Sequence, residues 1–123
     1  SEKTLYIITP SELQAINWIH ERRNNFSLIY SDPVLGLAVA GYSHLNRQML
    51  DLGRISEIPS GSLILISGRT SYWIRHLDNK KVFVAPNIPR KFQAFPGWEI
   101  FEDQKNFRLL YYYENQIYVF QKS

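Results

Sequence analysis

The sequence predicts an α/β fold: a single domain whose central mixed sheet is flanked by helices and closed by a C-terminal antiparallel hairpin. Three observations predict it. A well-capped amphipathic stretch opens the chain at Thr9, short apolar runs then alternate with helical ones, and two aromatic-rich runs at the end flank Glu114-Asn115.

The opening element is a helix. Thr9-Pro10-Ser11-Glu12 supplies an N-cap, a proline at the first helical position and a glutamate that closes a capping box. Leu13, Ala15, Ile16, Trp18 and Ile19 recur at helical spacing, Arg22-Arg23 suit the negative end of the dipole, and Asn24-Asn25 ends it. Phe26 to Tyr30 reads as a buried strand ended by Ser31-Asp32-Pro33, since proline cannot donate to a ladder. Pro33 to Tyr42 reads as a short helix packed closely on the sheet through Gly36 and Gly41; Leu45 to Leu52 fits either class. Ser62 to Ser67, after Pro59-Ser60-Gly61, is the strongest strand. Thr70-Ser71 can cap a short helix through Leu77, Asp78 to Lys81 makes a polar turn, and Val82 to Ala85 a further strand. Pro86 to Gly97, with three prolines, reads as a surface connection. Trp98–Phe101, Phe107–Tyr113 and Ile117–Phe120 read as strands, the last two joined by a tight turn at Glu114-Asn115.

With 123 residues, the chain suits one core, so residues 1–123 are taken as a single domain. A hydrophobic fraction of 45% separates it from disordered tails. The formal charge of +3 is mild, and the basic residues cluster only as the pairs Arg22-Arg23, Lys80-Lys81 and Arg90-Lys91, a pattern of solvated surface. The absence of cysteine excludes disulfides, thiolate catalysis and cysteine-bound zinc. The longest stretch free of Asp, Glu, Lys and Arg, Pro33 to Asn46, falls short of the roughly 20 residues of a spanning helix.

No complete catalytic or metal motif is present, and no cofactor is expected. His20, His44 and His76 lack paired metal-ligand spacing. Ser60-Gly61-Ser62 belongs to a turn, not a nucleophile elbow, and no glycine-rich phosphate loop occurs. Asn25-Phe26-Ser27 matches a glycosylation acceptor but reads as a helix-to-strand turn. One polar edge stands out. Asp32 ends a strand and opens a helix, and Ser67-Gly68-Arg69-Thr70 ends the next strong strand, so parallel neighbours would bring Asp32 and Arg69 together where open α/β sheets bind ligands. The plainer role for Asp32 is a helix cap. The run Phe107 to Tyr113 could stack nucleic-acid bases, but only Arg108 adds charge to it, and core or cross-strand pairing accounts for it.

Three stretches carry a family resemblance. Thr9-Pro10-Ser11-Glu12-Leu13 with Ala15 and Trp18-Ile19-His20-Glu21 is the first. Phe26 to Gly36, continuing to Gly41-Tyr42 and Arg47, is the second. Trp98-Glu99-Ile100-Phe101 followed by Gln116-Ile117-Tyr118-Val119-Phe120 is the third. Together they resemble the extracytoplasmic C-terminal domain of polytopic, lipid-phosphosugar-dependent glycosyltransferases, the family of protein mannosyltransferases and oligosaccharyltransferase-like proteins. The resemblance implies a non-catalytic soluble domain at the extracytoplasmic face of a membrane, with transfer chemistry residing in membrane loops outside this chain. The implied partners are the transmembrane portion of the same full-length chain and a polypeptide or glycan acceptor. The acceptor-binding signature Trp-Trp-Asp-x-Gly is replaced by Tyr30-Ser31-Asp32-Pro33, which leaves peptide-acceptor recognition without its motif. Asp32, Arg69 and Arg47 are the ligand-edge candidates. A stand-alone phosphate- or nucleotide-binding module and a basic RNA-binding module are the alternative readings.

Overall fold

The computed structural model describes residues 8–76 and 89–123. Its centre is a five-stranded mixed sheet of order β2-β1-β3-β5-β4, formed by β1 (Leu28–Ser31), β2 (Asn46–Met49), β3 (Leu63–Ser67), β4 (Phe107–Tyr113) and β5 (Ile117–Lys122). Strand β1 pairs in parallel with β2 and β3, whereas β5 pairs antiparallel with β3 and β4. The expected α/β class, mixed sheet and closing hairpin are therefore present.

Two apolar layers cover the sheet. Helices α1 (Pro10–Glu21) and α2 (Pro33–Ser43) bury Ala15, Ile16, Ile19, Leu35 and Val39 against Ile29, Leu63, Leu65, Ile117 and Val119. On the other face, Trp73 and Ile74 of α3 (Gly68–Arg75) join Phe92, Phe95, Phe101 and Phe107 over Ile64, Ile66 and Phe120. Strand β3 alternates between the layers and all five of its residues are buried, so it reads as a continuous apolar run.

Local signals place most elements. The capping box of α1 forms as expected: the Thr9 hydroxyl accepts from the Glu12 N–H at 3.3 Å, and the Glu12 carboxylate accepts from the Thr9 N–H at 2.9 Å. Leu13, read as part of the apolar face, is instead exposed; it lies on the solvent side, one position past the buried Glu12. The first strand starts at Leu28, two residues later than expected, because a 3-10 turn at Arg23–Asn25 delays it. The ambiguous stretch from Leu45 contains β2, an exposed edge strand. Glu114 and Asn115 both have positive φ, 37° and 56°, the mirror-image turn that suits the right-handed twist of a hairpin.

Three expectations are corrected. Ser67, not Thr70-Ser71, caps α3, with Thr70 at the third helical position. Trp98–Glu102 is a 3-10 turn and not a strand. Its apolar residues at 98 and 101 are three apart, so at 3.0 residues per turn both rings face the same core layer. Within Pro86–Gly97, Phe92 and Phe95 are buried, so the described end of this segment is core lining and not a surface connection. The turn expected at Asp78–Lys81 and the strand at Val82–Ala85 lie outside the described residues.

Glycines 36, 41 and 68 separate close packing from open space. An added Cβ at Gly36 would sit 3.7 Å from the Arg47 Cβ, an ordinary contact that brings α2 onto β2, whereas one at Gly41 meets nothing within 4 Å. At Gly68 the same atom would lie 2.6 Å from the Pro89 carbonyl oxygen and 2.7 Å from that of Lys91. Gly68→Ala is therefore expected to cost about 1–3 kcal/mol through forced backbone displacement. Gly41→Ala, on an exposed helical position, is expected to stabilise by about 0.5–1 kcal/mol. Urea denaturation of both variants checks the pair.

Candidate functional site

At the C-terminal edge of the parallel strands β1 and β3, three helices begin at one corner. Their first turns are joined by side chains that are almost wholly buried: Glu12 is 2% exposed, Asp32 1% and Arg69 3%. Glu12 Oε1 accepts from the Thr9 N–H and from Arg69 Nη2, each at 2.9 Å. Its Oε2 accepts from the Ser67 hydroxyl at 2.8 Å and from Arg69 Nε at 3.0 Å. The guanidinium thus grips both carboxylate oxygens in the fork geometry that makes arginine–carboxylate pairs strong and directional. The bond from Ser67, the cap of α3, to Glu12, in the first turn of α1, ties the two helix starts together.

Asp32 completes the corner. Its Oδ1 accepts from the Val34 and Leu35 N–H groups at 2.9 Å each, capping α2, and its Oδ2 accepts from the Thr70 hydroxyl at 2.6 Å. The Thr70 oxygen also accepts from the Ser67 N–H at 3.0 Å. Beneath them, the Ser31 hydroxyl donates to the Leu65 carbonyl at 2.7 Å across the parallel pair. Burial pushes the Asp32 carboxyl above the ordinary aspartate range; the bonds from Thr70 and Leu35 and the charge of Arg69 pull it down without cancelling that effect.

The structure thus brings Asp32 and Arg69 into one network, because β1 and β3 are the parallel neighbours on which that expectation depends. Both side chains point into the protein and engage its own groups. Arg47 stands apart on the exposed edge strand β2. It shares with Asp32 an open groove of about 310 Å³, lined also by Pro33, Gly36, Gln48 and Met49, and Arg69 is not among the lining residues.

Glu12 and Thr70 are the site residues that sequence reasoning missed. Glu12 satisfies a local capping box, so nothing in its neighbours reveals that the same carboxylate also receives an arginine 57 residues away. Thr70 looks from its neighbours like a cap of the helix within which it lies.

Among the described residues, no group of three or more His, Asp or Glu side chains is placed to hold a metal ion, and no helix is long and apolar enough to cross a membrane. His20 stacks on Tyr42 with ring centroids 3.9 Å apart and shares a hydrogen bond of 3.0 Å with Ser43, which accounts for it as a helix–helix contact. Comparison with known protein families, characterised proteins and solved structures gives no match to this chain.

The buried pair has a measurable signature. Glu12→Ala and Arg69→Met are each expected to cost about 3–5 kcal/mol, because each strands an uncompensated buried partner. The double variant is expected to cost less than their sum by more than about 1 kcal/mol, read from chemical denaturation as a double-mutant cycle.

Asp32 adds a pH dependence. A carboxyl whose pKa is raised on folding binds its proton more tightly in the native state, so its stabilising contribution is fully present below the unfolded value and is lost as pH rises through the folded one. Relative to Asp32→Asn, which keeps the shape and cap, the wild-type protein is expected to gain stability as pH falls through that window, with a limiting slope of about 1.4 kcal/mol per pH unit. Urea melts of both proteins between acid and neutral pH test the sign.

Proposed function

We propose that this chain is a non-catalytic, extracytoplasmic domain of a membrane-embedded glycosyltransferase using lipid-phosphosugar donors, where it supports acceptor recognition or the fold of the parent protein. The observation that carries the reading is that residues of the resemblance supply both carboxylates of the buried corner, Glu12 and Asp32, and frame the sheet. Thr9 and Glu12 form the box whose carboxylate receives Arg69, Asp32 and Pro33 open α2, Gly36 and Arg47 line one groove, and the final Ile-Tyr segment is β5 beside β3. A corner whose carboxylates are occupied by its own arginine, hydroxyls and amides suits a scaffold better than a reaction centre.

A phosphate-binding role at the same edge finds less support. The Val34 and Leu35 amides that would receive an anion at α2 are taken by Asp32, and the Thr70 amide at α3 by Ser67. RNA binding through the final strands also finds less support, since Phe107 and Phe120 are core residues.

The reading is tested on the full-length parent protein in its native membrane. A membrane-impermeant label applied to intact cells is expected to modify this domain, and deletion of the domain is expected to lower transfer to acceptor while binding of the polyprenyl-phosphate sugar persists. The isolated domain should transfer no sugar. Labelling only after the membrane is opened, or a parent protein with no membrane-spanning segment, would overturn the reading.

A further inference from the structure

A second open groove lies away from the buried corner, between the 3-10 turn Trp98–Glu102 and strand β4. It measures about 660 Å³, and its floor is aromatic: Trp98, Phe101, Phe107, Tyr118 and Phe120. Glu102 and Gln104 stand exposed on its rim. We infer that this groove is a binding site for a neutral carbohydrate, one or two pyranose rings stacked on Trp98 and Tyr118 with hydroxyls bonded to Glu102 and Gln104.

Four features select that chemistry. First, the groove falls within the roughly 300–1,000 Å³ of small-ligand sites, which pair an apolar floor with a few placed polar groups. Secondly, the floor is fixed in advance. The Trp98 ring lies 4.3 Å from Phe92, 4.9 Å from Tyr118 and 5.6 Å from Phe101 between centroids, and Tyr118 is stacked within 4° of parallel on Phe120. Trp98 and Tyr118 are held by core rings yet remain partly exposed, so stacking on them costs little ordering entropy. Aromatic faces carry negative quadrupolar charge, which attracts the polarised C–H face of a sugar ring.

Thirdly, the rim groups match vicinal hydroxyls. A carboxylate accepts through two oxygens, and a primary amide both donates and accepts. Fourthly, the charge around the groove is balanced and sets up no field for an anion. Glu102 and Arg108 line it, the Arg108 guanidinium already donating to Gln121 at 3.1 Å, and the neighbouring Glu99 and Asp103 are offset by Lys105 and by Lys122, whose ammonium lies 5.9 Å from the centre of the Phe107 ring. Single-stranded nucleic acids stack on comparable platforms but need a continuous positive track beside them. The apolar platform continues along the same face of β4 through Leu109 and Tyr112, 47% and 49% exposed, which lie opposite Phe120 and Tyr118 in the strand register. The inference rests on the groove and is independent of the proposal for the parent protein.

The test uses residues 1–123 labelled with nitrogen-15 and titrated separately with maltose, cellobiose, mannobiose and chitobiose. At least one disaccharide is expected to give saturable shifts, with a Kd of about 0.1–10 mM, a few kcal/mol of binding, confined to the Trp98 indole N–H, the amides of 102–109 and that of Tyr118. Glu102→Gln and Gln104→Ala alter exposed side chains and are expected to weaken binding several-fold while leaving the amide spectrum otherwise unchanged. Trp98→Ala is expected to abolish binding. Because it also thins the aromatic core, the two rim variants decide the outcome if it unfolds. Absence of saturable shifts with all four sugars would overturn the inference. So would binding indifferent to both rim substitutions, or an oligonucleotide or peptide that occupies these residues when no sugar does.

Discussion

The fold depends on one buried carboxylate. Glu12 is required locally to start α1, yet the same two oxygens also receive Ser67 and Arg69 from the far side of the sheet's central strand. Because a buried charge is costly unless it is paired and hydrogen-bonded, the arrangement is close to all-or-none. With Arg69 in place, α1 and α3 are locked in register at the edge of β3. Remove either partner and the other is left with a charge it cannot solvate. The exposed Arg54–Glu57 pair, also 2.9 Å apart, has no such consequence, since water can replace either member.

The same corner explains why an edge so well placed for a ligand is internal. In open α/β sheets the strand ends and helix N-termini form an anion-receptive crevice. Here Asp32 already caps α2 and Ser67 caps α3, while Thr70 bridges the two caps. The protein's own carboxylates and hydroxyls take the places that phosphate oxygens would occupy at helix N-termini. The positive ends of the helices and the guanidinium hold the domain together, and an exogenous anion would have to displace a buried, bonded side chain to enter.

The two faces of the sheet consequently differ in character. The layer under α1 and α2 is aliphatic and closed, built from Ile29, Leu35, Val39, Leu63 and Leu65. The opposite layer is aromatic, and among the described residues it is met by the short α3 and by single-turn elements. Large rings under short turns leave a groove where helices would have filled it, which is how a surface with partly exposed Trp98, Tyr118, Leu109 and Tyr112 arises on a well-packed domain.

Local chemistry made much of this legible in the amino-acid order. The capping box at Thr9, the Asp32-Pro33 helix start, the four-residue apolar run of β3 and the Glu114-Asn115 turn are decided within a few residues by hydrogen-bond geometry, proline and backbone dihedral preference, and each lies where the pattern places it. The adjacency of Asp32 and Arg69 follows as well, given that β1 and β3 are parallel neighbours. Tertiary structure alone decided that Arg69 would bind Glu12, that Trp98–Glu102 would coil instead of extend, and that Phe92 and Phe95 would be core. The reason is common to all three. An ion pair spanning 57 positions, or a ring seated beneath a distant strand, takes its energy from neighbours that only the folded chain supplies, and no window along the sequence contains them.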